Sequence, residues 1–114
     1  MAPLADPQLL GCFMAILADW YVTDAVTIKK VAEDWGGKNL PNFTLKGLAK
    51  LMNDHVLAGG EIDQVRETRP EWNDRNYHYD FQLPWAGRPF YIKTVLVDDD
   101  PKNPYIPIVS LHDA

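Results

Sequence analysis

Four side chains near the end of this 114-residue chain belong to types that trade protons or hold charge. Tyr91 and Lys93 lie in the segment FYIKTVLV, and Ser110 and His112 lie in IVSLHDA. If an antiparallel hairpin pairs Asp98 with Tyr105, Tyr91 falls opposite His112 and Lys93 opposite Ser110. All four side chains then share one face, because alternate residues of a strand point to opposite sides. A phenol, an amine, a hydroxyl and an imidazole on one face suit acid–base work on a polar substrate. The same residues also suit an ordinary half-solvated sheet face, and the residues alone leave both readings open.

Cations gather just upstream. All four arginines, Arg66, Arg69, Arg75 and Arg88, fall between residues 66 and 88, and Lys93 follows. Glu67, Glu71, Asp74 and Asp80 oppose these five cations, so the window is weakly positive within a chain of net charge −5. Arginine forks match phosphate oxygens, although local pairing with the neighbouring carboxylates explains them equally. Of the three histidines, His55 reads as structural, near the end of a helix where a cation suits the dipole. His78 sits on the polar side of a strand and His112 two residues from the C-terminus. No two histidines have metal-ligand spacing, and Asp98-Asp99-Asp100 lacks the rest of a calcium loop. No metal or cofactor is implied. Cys12 lies by an apolar helix face and reads as a buried thiol.

The elements that must position these groups follow from periodicity. Asp6 caps a helix whose first turn holds Pro7, with Leu10, Phe13, Met14, Leu17 and Tyr21 at helical spacing. Ile28, Val31, Ala32 and Trp35 mark a second helix that Gly36-Gly37 ends. Thr44 caps a third, with Leu45, Leu48, Leu51, Met52 and Val56, closed by Gly59-Gly60. The period then changes to two. Strands are expected at 61–67, 76–83, 90–97 and 105–112, joined by a loop at 68–74, a turn at 84–87 and a connection at 98–104. The expected architecture is one α+β domain, N-terminal helices packed on a three- to four-stranded antiparallel sheet. His78 reaches the face of Tyr91 if Leu83 pairs with Phe90; a register of the other parity puts it on the opposite face.

Composition excludes several classes. Hydrophobic residues make up 46% of the chain, enough to bury a core, so it is not a disordered segment. No apolar run is long enough to span a bilayer, and Met1 is followed by no basic n-region of a secretory signal. The single cysteine rules out an intrachain disulfide framework and fits a reducing, cytoplasmic setting. Net negative charge argues against gripping nucleic acid by overall charge.

FYIKTVLV, a hairpin and a terminal IVSLHDA resemble the end of the MqsR family of messenger-RNA interferase toxins, whose last strands read like YLK and then IVSF plus a basic residue. The resemblance covers residues 45–114. DQVRE at 63–67 falls about where that family carries a basic residue, and RNYHYDF at 75–81 about where it has a polar one. The resemblance implies a RelE-like fold and metal-free RNA cleavage by 2′-hydroxyl attack on the adjacent phosphate. By it, Tyr91 matches the family tyrosine, Arg66 replaces a lysine, His78 a glutamine, and His112 the C-terminal basic residue. His112 and His78 would be the acid–base pair, Arg66 the phosphate fork and Tyr91 an orienting or proton-donating group. Lys93, Arg75, Arg69 and Arg88 would contact RNA. The implied partners are an RNA substrate and an antitoxin protein covering the sheet face, with no membrane. The acidic balance and the longer N-terminal segment depart from the family pattern.

Two other readings compete. Three helices followed by a hairpin resemble a winged helix-turn-helix, whose third helix would present Lys46, Lys50 and Asn53 to DNA. Alternatively, the chain is an acidic, non-catalytic binding protein with exposed Trp72 and Trp85 as anchors.

Overall fold

The computed structural model describes residues 2–22, 24–66, 77–98, 100 and 102–114. In chain order the elements are β1 (Ala2–Pro3), α1 (Pro7–Ala18), β2 (Val26–Ile28), α2 (Lys30–Asn39) and α3 (Leu45–Leu57). β3 (Asp63–Arg66), β4 (Tyr77–Trp85), β5 (Arg88–Thr94) and β6 (Ile106–Asp113) follow. The α+β class holds, but among the described residues the sheet is larger than expected and mixed: six strands in the order β1-β3-β4-β5-β6-β2.

The two additional strands lie at the edges. β1 pairs antiparallel with β3. β2 runs parallel to β6, Val26 beside Ile106 and Ile28 beside Ile108. Val26-Thr27-Ile28 is a run of three β-branched residues, which suits a strand better than a helix start. Ile28 therefore belongs to the sheet, and α2 begins only at Lys30. This topology also differs from that of a free-standing wing. β4 is flanked by β3 and β5 inside the sheet instead of projecting as a wing, and β2 pairs with the final strand.

Helix starts follow the local chemistry. Asp6 Oδ1 accepts from the backbone N–H groups of Gln8 and Leu9, at 2.9 and 3.3 Å, opening α1. Thr44 Oγ1 accepts from Gly47 N–H at 3.0 Å, opening α3. α2, however, runs through Gly36-Gly37 to Asn39. One glycine in a helix costs only about 1 kcal/mol. Here Gly36 is needed: a Cβ at that position would meet the Phe43 ring at 2.8 Å.

The three helices of the described residues cover one face of the sheet. Phe13 of α1 sits edge-on to Tyr79 and Phe81 of β4, with centroids 4.9 and 6.3 Å apart. Trp35 of α2 stacks on Phe90 of β5 at 6.4 Å, and His55 of α3 lies 6.0 Å from Phe81. Leu83, Ile92, Ile106, Ile108 and Leu111 complete this core.

Two features set which residues face away from the helices. β4 and β5 join through a two-residue loop, Ala86-Gly87, both at positive φ (51° and 83°), as a type I′ turn requires. That loop pairs Leu83 with Phe90. The second feature is a bulge. Lys93 pairs with Ser110 but Thr94 with Ile108, leaving Val109 as an extra residue on β6. The bulge switches parity along β6, so even-numbered Ile106 and Ile108 enter the core while even-numbered Ser110 and His112 leave it. It also pairs Tyr105 with Val97 and not Asp98.

Ala86 occupies a backbone region that L-residues other than Asn and Asp resist. Ala86→Asn is expected to raise stability by roughly 0.5–1 kcal/mol, in line with the Asn-Gly preference of such loops. Thermal unfolding of the two proteins checks this; a lower midpoint for the variant contradicts the loop assignment.

Candidate functional site

The polar face of the sheet is built in cross-strand rows. One row runs Gln82, Tyr91, His112 across β4, β5 and β6. The next runs Asp63, Asp80, Lys93, Ser110 across β3 to β6. The pairings of Tyr91 with His112 and of Lys93 with Ser110 are those expected from the sequence. The Tyr91 and His112 rings stack with centroids 5.1 Å apart and planes inclined by 28°. Gln82 and His112 are exposed, and Tyr91, Lys93 and Ser110 half-buried. The row is therefore open to a solute, backed by a rigid central strand pair. An imidazole and a phenol in contact, with an ammonium and a hydroxyl on the next row, can accept a proton, donate one and offset developing negative charge. Asp80 and Gln82 were not singled out from sequence as site residues, although the period-two pattern of β4 puts both on this side.

The other expected members are placed differently. His78 is on the face of Tyr91, as the Leu83–Phe90 pairing requires, but it pairs with Val65 of β3. Four residues along β4 and two strand spacings across separate it from His112, roughly 16 Å between backbones. It is also only 8% exposed, with Nε2 3.7 Å from Asp80 Oδ1. His78 and His112 thus do not flank one phosphate; sharing a face did not bring them to the same end of it. Arg66 pairs with Tyr77 and so lies on the helix side, with β4 and β5 between its strand and β6. It is no phosphate fork for His112.

Arg88 is committed to the fold. It shares the face of Phe90, and its Nε and Nη2 donate to the two oxygens of Asp113, each at 2.9 Å. Nη1 donates to the carbonyl of Asn39 at 2.8 Å, and the guanidinium lies 5.5 Å from the Trp35 ring. The clamp ties the strand end carrying His112 to α2. Arg88→Met is expected to lower stability by about 1–2 kcal/mol, since the pair is partly solvent-screened while the carbonyl loses its charged donor. Urea unfolding measures this; no loss would show that the clamp carries no stability. Arg69, Arg75 and Trp72 lie outside the described residues.

Trp85 is not an exposed anchor. Its Nε1 donates to the Pro41 carbonyl at 2.8 Å, and its ring packs by Phe43 at 5.5 Å. His55 is structural as expected, its Nε2 2.7 Å from the Glu61 carbonyl. Burial pushes the Cys12 thiol above its ordinary value and Asp98 adds to this, which suits packing and not nucleophilic attack. Asp100 caps its own turn, accepting from Lys102 N–H and Asn103 Nδ2, each at 3.0 Å. Those bonds hold its carboxyl below the usual carboxylate range. Among the described residues no group of His, Cys, Asp and Glu gathers for a metal, and no helix is long and apolar enough to cross a membrane. No protein-family model, curated protein or solved structure matches this chain.

Proposed function

We propose that the open end of the polar sheet face is a metal-independent endoribonuclease site, the chain acting as the ribonuclease toxin of a toxin–antitoxin pair. The observation that supports this reading is the stacked Tyr91–His112 pair beside the Lys93–Ser110 row on an accessible face. His112 takes the proton of an RNA 2′-hydroxyl, whose oxygen attacks the adjacent phosphorus. The bond to the 5′-oxygen breaks as Tyr91 donates its phenolic proton to that oxygen. The products are a 2′,3′-cyclic phosphate and a free 5′-hydroxyl, and solvent returns the proton from imidazole to phenolate. Lys93 supplies positive charge for the pentavalent phosphorane, the role that the resemblance implied for Arg66. Ser110 and Gln82 hold the ribose and the flanking nucleotide by hydrogen bonds.

An acidic chain offers few long-range contacts to a polyanion, so binding rests on this local site and weakens with salt. A non-cleavable oligonucleotide with 2′-deoxyribose at the reacting position tests the placement. Backbone amide shifts on titration are expected at Gln82, Tyr91, Lys93, Ser110 and His112. Shifts confined to α3, around Lys46 and Lys50, would overturn the site.

A further inference from the structure

On the helix side, we infer that a groove at the corner of α1 and β2 docks a basic amphipathic segment of a partner protein. α1 contains no charged residue from Pro7 to Ala18. A helix apolar all round is normally buried all round. Here only Phe13, Ile16 and Leu17 are buried, while Gly11, Met14, Ala15 and Ala18 face outward. The stripe continues past the helix into Tyr21 and Val22, 59% and 48% exposed. It leads into a cavity of about 890 Å³ whose apolar wall is Ile16, Val22, Ala25 and Tyr105. A second cavity of about 300 Å³ shares Val22, Asp24 and Thr27 with the first, so the groove is continuous round the corner.

Charge selects the occupant. Among the described residues, three carboxylates, Asp19, Asp24 and Asp100, rim the larger cavity against one ammonium, Lys102, while Lys46 borders only the smaller one. A second copy of this chain, of net charge −5, would bring like charges together. An anionic bilayer is repelled for the same reason. A segment with leucine-like side chains on one face and lysine or arginine beside them fills the apolar wall and meets the rim. The groove is separate from the Tyr91–His112 row: Tyr105 and His112 are seven residues apart along an extended segment, roughly 20 Å. The inference therefore stands or falls independently of the ribonuclease reading.

The test uses an 18-residue helical peptide of Leu and Lys at amphipathic spacing, and a counterpart with every Lys replaced by Glu. Each is titrated into the full chain, read by fluorescence anisotropy and amide shifts. The Lys peptide is expected to bind with shifts at Ala15, Val22, Ala25 and Tyr105, and the Glu peptide not to bind. Combined Asp19→Asn and Asp24→Asn, which leaves the turn capped by Asp100 intact, is expected to weaken binding about fivefold, as two rim charges would. Val22→Arg, at an exposed position that leaves folding intact, is expected to weaken it by at least as much. Equal binding of the two peptides, shifts on other surfaces, or no binding overturns the inference. So does self-association lost in Val22→Arg, or capture by anionic vesicles.

Discussion

His112→Ala is expected to reduce RNA cleavage by about 10²–10⁴-fold, the usual worth of a positioned acid–base group. Stability should change by no more than about 0.5 kcal/mol, because the side chain is exposed and its strand end is held through the neighbouring Asp113. Initial rates on single-stranded RNA, with thermal unfolding as the control, check both. The stack with Tyr91 at 5.1 Å gives a second handle. Tyr91→Phe keeps the ring against His112 and removes only the phenolic proton, so cleavage should fall less than in His112→Ala. His78→Ala separates this account from a two-histidine mechanism. With His78 buried and about 16 Å away, its loss should act through stability and leave the rate per folded molecule close to wild type. A collapse of that rate to the His112→Ala level would restore His78 to the chemistry.

Phe13→Ala carries the largest expected cost in stability, about 3–5 kcal/mol. The ring is fully buried and lies edge-on to two aromatic rings of β4. Truncation loses its transfer free energy and leaves a cavity between α1 and the sheet that rigid β4 cannot close. Small domains are stable by only about 5–15 kcal/mol in total, so the variant should be partly unfolded in mild denaturant. Met14 is the internal control. It is the next residue of the same helix but 38% exposed, and Met14→Ala should shift stability by about 0.5 kcal/mol or less. Equal midpoints for the two variants in urea would mean that α1 does not dock through Phe13.

The parts of this architecture governed by local chemistry were legible in the sequence. Asp6 and Thr44 announced helix starts, and the alternation of Tyr77 to Leu83 gave β4 and its core-facing side. The hairpin arithmetic placed Tyr91 by His112. What escaped depends on contacts distant in sequence. Gly36-Gly37 reads as a stop, but Gly36 is there for the close approach of Phe43. Val26–Ile28 becomes a strand only because β6 offers a parallel edge eighty residues later. The bulge at Val109 is invisible to periodicity, since a clean alternation cannot put Ile108 in the core and Ser110 outside it.

For the site, face was readable and position along the face was not. Alternation tells which side of the sheet a residue occupies, but every second residue adds about 7 Å along the strand. His78, Gln82 and Tyr91 therefore share a side without sharing a place. Arg88 shows the converse: a guanidinium suited to phosphate is satisfied by Asp113, a partner twenty-five residues away.

The central claim is that the Tyr91–His112 end of the sheet breaks RNA by internal transesterification. The most direct measurement is end-group analysis of a defined single-stranded RNA incubated with wild type and His112→Ala in excess chelator. The account predicts 2′,3′-cyclic phosphate and 5′-hydroxyl ends from wild type, and at least a hundredfold less from the variant. Intact RNA after prolonged incubation at high protein concentration, or identical products and rates from the two proteins, would contradict it.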